Sequence, residues 1–307
     1  MLRLLIELLP ALALGFWLGQ QRPLVAQRLA APLVRFGVPL SVMGLLLKAG
    51  LNPQMLQAAG IAVVAIGLMQ LMLWGIPLCR RTLRQASNTV GSCVGNTAYV
   101  GIPVTLALLP PEALPISIGY DLGATLLTWS VGPLLLSQHG DPSGRHPLRM
   151  LAASLGSSPA VRGLLGALIL TATPWSQTIA TWLWLPSQIV ILLALAVVGM
   201  RLGAISVEQQ TPRSAEGLHA AILIKLVIFP AVMLAITASL QLPALMVQAL
   251  TLQAAAPTAI SILLIAEAVR HNQAIAASLV LRTTLMAAIS TPIWGWILTA
   301  PVLSQRP

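Results

Sequence analysis

The sequence is expected to fold as an all-α integral membrane protein of ten transmembrane helices, a five-plus-five inverted repeat in which two proline-broken helices cross. Three features dictate that expectation: charge is scarce, apolar stretches of membrane-spanning length recur, and glycine and proline interrupt two of those stretches at equivalent places. Of 307 residues, 57% are hydrophobic and only 8% charged, against roughly a quarter charged in an ordinary soluble domain. A soluble fold cannot coat its surface with so few charges. A bilayer core of about 30 Å needs roughly 20 apolar residues per helix, and runs of that order follow one another from Leu2 onward.

Ten segments can be drawn: Leu2 to Leu18, Leu33 to Leu51, Met55 to Leu78, Val90 to Leu109, Leu114 to Leu136, Ala160 to Pro174, Leu183 to Leu202, Leu218 to Leu240, Leu242 to Ala266 and Ala274 to Leu298. They are continuous rather than alternating, which excludes a β-barrel. The first carries Glu7 and Pro10 and lacks a small-residue cleavage site, so it reads as a retained span and not a signal peptide. Lys and Arg are kept preferentially in cytoplasmic loops. Arg22, Arg28 and Arg35 flank the first connection, Arg80, Arg81 and Arg84 the third, Arg145, Arg149 and Arg162 the fifth, Arg201 and Arg213 the seventh, and Arg270 the ninth. The even-numbered connections have almost none, Lys48 being the main exception. Ten spans in a plasma (inner) membrane with both termini outside the cytoplasm satisfy this pattern. The net charge of +10 is thereby read as topology; the basic residues are scattered singly, without the aromatic-interleaved patch that nucleic acid requires. Cys79 and Cys93 lie in or beside spans and make no disulfide framework.

The fifth connection, residues 137–158, contains Gly140-Asp141-Pro142-Ser143-Gly144-Arg145 and reads as a cytoplasmic linker between a first half, 1–136, and a second, 159–307. The halves resemble one another. Gly44-Leu45-Leu46-Leu47-Lys48 has a counterpart in Gly199-Met200-Arg201-Leu202-Gly203, Pro103 in Pro257, and Pro133 in Pro292, with separations that agree within a few residues. Because each half holds an odd number of spans, the second copy enters the membrane from the opposite side, an arrangement common in secondary transporters.

Span four reads Gly95-Asn96-Thr97-Ala98-Tyr99-Val100-Gly101-Ile102-Pro103, and span nine Gln253-Ala254-Ala255-Ala256-Pro257-Thr258-Ala259-Ile260-Ser261. Proline within a helix removes a hydrogen bond and clashes with the preceding turn, which a bilayer tolerates only where protein or a water-filled cavity supplies other partners. The bland reading is that each proline merely kinks a packed helix; the paired position favours two broken helices crossing near the bilayer centre, with their half-helix ends turned to a substrate or ion. Candidate binding residues are therefore Asn96, Thr97, Tyr99 and Pro103 on one helix and Gln253, Pro257, Thr258 and Ser261 on the other. Ionisable residues at membrane depth are costly and usually face a cavity or a partner. Asp121 is either a proton or cation site or the structural partner of Lys225 or Arg282. Lys225 or Arg282 would supply positive charge for an anion, though Arg282 lies near enough to a span end to snorkel. Glu7 and Glu267 sit nearer span ends.

His139, His146, His219 and His271 make no metal-ligand spacing, no nucleotide-binding fingerprint occurs, and Ser92 has no histidine near it in sequence. No cofactor is implied, and an enzyme or direct use of ATP is disfavoured.

At these residues the sequence resembles the auxin efflux carrier family, within the bile-acid and auxin carrier superfamily; bacterial members include malate and related permeases. The stretch Gly95 to Pro103 is similar to that family's fourth-span pattern, Asp121-Leu122-Gly123 to its fifth, Pro257-Thr258-Ala259 with Ala266-Glu267 to its ninth, and Ala276-Ala277-Ser278 with Thr284 and Pro292 to its last. Arg282, where a neutral residue is usual, and Ala124, where Asn is frequent, depart from it. The resemblance implies a scaffold of spans one, two, six and seven, a transport bundle of spans three to five and eight to ten, elevator-type alternating access, and a homodimer formed through the scaffold. The substrate implied is a small organic anion, a carboxylate of auxin or malate type. The paired breaks and buried charges add the expectation that Asp121 and Lys225 form a charge pair, alongside Glu267 and Arg282, that responds to H⁺ or Na⁺. Alternatives are a sodium-coupled symporter of bile-acid type and a membrane receptor without transport.

Overall fold

The computed structural model describes residues 9–22, 25, 28–29, 32–50, 52–136, 156, 159–208, 216–269 and 271–299. Most of the linker, together with Glu7, Arg145, Arg149, Arg213, Arg270, His139 and His146, lies outside the described residues. Among those described, regular structure is helical, with one isolated antiparallel bridge between Gly95 and Thr258.

In chain order the helices are α1 (Leu9–Gln21), α2 (Val38–Ala49), α3 (Pro53–Gly75), α4 (Pro77–Leu83), α5 (Ala86–Gly91), α6 (Ile102–Leu108), α7 (Ala113–Leu136), α8 (Pro159–Thr171), α9 (Ser176–Glu208), α10 (Leu218–Leu223), α11 (Phe229–Ser239), α12 (Ala244–Ala254), α13 (Ile260–Ala268) and α14 (Gln273–Thr299). Pro53–Gly75, Ser176–Val207, Leu218–Ser239 and Gln273–Thr299 are long and apolar enough to cross a membrane. The protein is therefore a multi-pass membrane protein. Local chemistry sets the ends. Asn52 caps α3, its side chain accepting from the Met55 amide at 3.2 Å, and Pro53 fills the first turn. Pro77 then turns Ile76 out of the helical region and starts α4 afresh.

Helix α9 extends well past the predicted seventh segment, Leu183 to Leu202, at both ends. Predicted segments four and nine are each two helices separated by a break.

Three wide π-helical turns, Leu33–Gly37, Thr97–Gly101 and Ile224–Ile228, precede α2, α6 and α11, and each ends two residues before a proline, Pro39, Pro103 or Pro230. A proline returns no N–H to the carbonyl four residues earlier, and an extra residue in the turn relieves the ring's clash. Two of those carbonyls find side chains instead: Arg35 O accepts from Arg162 Nη1 at 3.1 Å, and Leu226 O from Trp294 Nε1 at 2.8 Å.

Helices pack in two groups. In the first, α1 runs along α9, and α2 lies between α9 and α8. A Cβ on Gly15 or Gly19 would overlap the backbone of Ala196 or Met200, and one on Gly199 or Gly203 would overlap that of Leu12 or Phe16. The two helices thus touch backbone to backbone, as small residues at four-residue spacing allow. Ser41 Oγ donates to Ser187 O at 2.9 Å, joining α2 to α9. In the second group α3 runs along α7, and α10 to α14 pack with the two breaks. Its apolar core includes Ala58, Ile66, Phe229, Met233 and Leu250.

Candidate functional site

Helix α5 ends at Gly91, and a new helical stretch begins at Thr97; α12 ends at Ala254, and α13 begins at Ile260. The two interruptions lie side by side. Asn96 N donates to Pro257 O at 2.6 Å and Ala259 N to Val94 O at 3.1 Å, so each break gives the other the partners its own helix has lost. Thr258 secures the crossing further: its amide donates to Thr283 Oγ1 at 3.1 Å, and its hydroxyl to Gly91 O at 2.9 Å.

Beside this crossing is a cavity of about 380 Å³ between the two helix groups. From one group come Arg35, Arg162 and Arg201, with Val197 and Val198; from the other come Asn96, Thr97, Tyr99, Asp121, Trp129 and Ser261. Both half-helices that begin at the crossing, at Thr97 and at Ile260, turn their first residues to the cavity. First-turn amides lack intrahelical partners and carry partial positive charge. Exposure falls along the cavity, from the exposed Arg35 through the half-buried Arg162 and Arg201 to the buried Asn96, Thr97 and Asp121.

Two polar groups at the buried end differ in kind. Asp121 accepts from Thr97 Oγ1 at 2.5 Å and from the Ala98 amide, so its carboxylate is held by the start of the half-helix. Asn96 is also buried, yet its side-chain nitrogen has no hydrogen-bond partner among the described residues. A buried donor without an acceptor is rare and calls for one.

The sequence candidates separate accordingly. Asn96, Thr97, Tyr99, Ser261 and Asp121 line the cavity. Pro257 and Thr258 belong to the second break; Pro103, expected to break span four, instead lies in the first turn of α6, where the wide turn before it absorbs its clash and the chain stays helical, while Gln253 turns away and donates to Thr105 Oγ1 at 3.1 Å. Glu267 is exposed near the end of α13, and Arg282 is half-buried on α14; neither lines the cavity. The ion pair between Asp121 and Lys225 is not made. Each group is satisfied at a different helix end, Asp121 as above and Lys225 by donating to Ala254 O at 2.7 Å. Among the described residues the ion pair present is the exposed Arg84–Glu216 contact, 2.5 Å, and neither partner lines the cavity.

Sequence reasoning assigned Arg35, Arg162 and Arg201 to connections and missed them as cavity residues. All three fall at the ends of drawn segments, where a basic residue is read as a cytoplasmic flank. Helix α9 continues through Arg201 to Glu208, and Arg162 falls in the first turn of α8. The signal that could have found Arg201 was the match of Gly199-Met200-Arg201 to the end of span two, which places it inside a helix.

Among curated proteins none matches this chain. The description of one protein family, membrane transport protein, fits residues 140–295, just over half of the chain and including the second break. That family comprises transporters and not enzymes, so the multi-pass helices and the cavity beside their crossing belong to a transporter. The chain is a member of the membrane transport protein family, the family of the auxin efflux carriers.

Proposed function

We propose that the protein is a secondary or facilitative carrier of small organic anions, carboxylates of auxin or malate type. One observation carries this reading: three arginines, two half-helix beginnings and Asn96, whose side-chain nitrogen lacks a partner, line a cavity that among the described residues has Asp121 as its one carboxylate. Arginine matches a carboxylate with paired N–H donors, and helix N-termini favour anions. Val197, Val198 and Trp129 give the wall the apolar character an organic body needs.

In this reading Arg162 and Arg201 draw the anion in, and Asn96 with the amides at Thr97 and Ile260 binds its carboxylate. Asp121 would repel that carboxylate unless protonated, which makes it the group that links transport to H⁺. The architecture proposed is ten spans in two inverted halves, 1–136 and 159–307, with both termini outside the inner membrane. A scaffold of spans one, two, six and seven would pair two copies, and a bundle of spans three to five and eight to ten would move past it as an elevator. The cavity's position between two helix groups supports that division. The exposed Arg35 end of the cavity would be cytoplasmic by the charge rule, and this state would then be the inward-open one.

Purified protein in proteoliposomes, offered a panel of mono- and dicarboxylates including malate and indole-acetate, tests the reading. Saturable flux that Asn96→Ala abolishes is the expected result. Binding of those anions without flux would instead make the protein a receptor, and a complete lack of both would remove the anion reading.

A further inference from the structure

A fully buried lysine at the far side of the crossing has no part in the cavity. Lys225 lies in the wide turn Ile224–Ile228 and is 0% exposed. Its Nζ donates to Ala254 O at 2.7 Å, lies 5.0 Å from the centre of the Phe229 ring, and would stand 3.3 Å from a Cβ on Gly95. The ammonium is therefore bonded to the last residue of α12 and lies beside Gly95 of the first break.

A buried charge must be compensated, and no carboxylate lies within ion-pair distance of Lys225 among the described residues. What compensates it is the end of α12. Thr251 O accepts the Ala255 amide at 2.9 Å and Gln253 O the Ala256 amide at 3.2 Å, while Ala254 O accepts only from the lysine among the side-chain donors. A helix C-terminus carries about half a negative charge, and the face of Phe229 adds further attraction for a cation. In carriers built on interrupted helices, these C-terminal ends and unwound carbonyls are where a coupling Na⁺ binds.

We propose that Lys225 is a tethered cation that occupies this position permanently, so that the crossing needs no free metal ion and offers a small-cation site once the side chain is cut away. Being covalently attached, this charge does not leave with the substrate. A sodium gradient then has no purchase on the transport cycle at this point, and the side chain holds the two half-helices in register. The inference rests on the carrier reading only for its flux measurement; its thermal measurement stands without it.

The wild-type protein, Lys225→Ala and Lys225→Met are compared by thermal unfolding in detergent and by anion flux in proteoliposomes, with Na⁺, choline, n-propylammonium or tetramethylammonium as the added cation at constant ionic strength. Propylammonium supplies the three carbons and the ammonium that Lys225→Ala removes. Wild type should be indifferent to all four cations. Lys225→Ala should melt about 5 °C lower and regain most of that loss in n-propylammonium but not in tetramethylammonium. Lys225→Met, which fills the space without charge, should be destabilised and rescued by none. Wild-type melting or flux that depends on Na⁺ would overturn the proposal, as would a Lys225→Ala protein that behaves as wild type or that no ammonium rescues. Should Lys225→Ala yield no folded protein, purification in n-propylammonium takes its place, with recovery supporting the proposal and failure overturning it. If flux is absent everywhere while melting follows the expected pattern, the carrier reading fails and the tethered cation stands.

Discussion

Helix α1 meets α9, and the first break meets the second, by opposite means. At α1 and α9, four glycines let two intact helices press their backbones together, and Cβ atoms are what the contact excludes. At the crossing, two interrupted helices present bare N–H and C=O groups and satisfy one another through hydrogen bonds. The first contact depends chiefly on closeness, with a side-chain hydrogen bond from Gln20 Nε2 to Ser206 Oγ at its exposed end. The second depends on directional bonds and leaves helix beginnings at the cavity and, beside it, an Asn96 side-chain nitrogen buried without a partner. Rigidity and binding capacity are thus built at different places from different residues.

The comparison can be broken most severely at α9. Gly199→Leu forces its side chain into the Leu12 carbonyl, and the helices must part; a loss of about 3 kcal/mol or more is expected, read as failure to recover folded protein or as a steep fall in melting temperature. At the cavity, Arg201→Gln should leave melting unchanged but raise the KM for the transported anion about tenfold. An unchanged KM would take Arg201 out of the binding site. Within the crossing, Thr258→Val keeps the shape but removes the donor to Gly91 O; about 1 kcal/mol of stability should go, measurable as a shift in thermal unfolding. The least effect is expected at Gly60 in α3, where a Cβ meets nothing within 4 Å. Gly60→Ala should be neutral or stabilise by up to about 1 kcal/mol, which sharpens the contrast between glycines that join helices and glycines that do not.

Much of this was readable in the chain. Predicted segments three, five, eight and ten fall within a few residues of helices beginning at Pro53, Ala113, Leu218 and Gln273, because apolar runs and their flanking Asn, Gly and Pro carry that information locally. Both breaks were legible for the same reason, with Pro257 and the Gly95 to Pro103 stretch marking them. The cavity was legible only in part. Asn96, Thr97 and Asp121 stand out as polar residues inside apolar runs, whereas Arg35, Arg162 and Arg201 look like any basic residue at a span end. Which of them face inward depends on how far α9 and α8 extend and how the helices are rotated, and neither follows from composition. The partner of Lys225 was misjudged because charge suggests charge; a backbone carbonyl at a helix end has no signature in sequence.

The antiparallel bridge joins Gly95 to Thr258, two residues separated by most of the remaining chain. A ribosome feeding this protein into a bilayer delivers the first break long before the second exists. During that interval the amide and carbonyl groups around Asn96 lack the partners they have in the finished molecule, in a solvent that offers none. Insertion of the first half is therefore a state that must be shielded, by retention beside the translocation channel or by a chaperone, until Pro257 and Thr258 arrive.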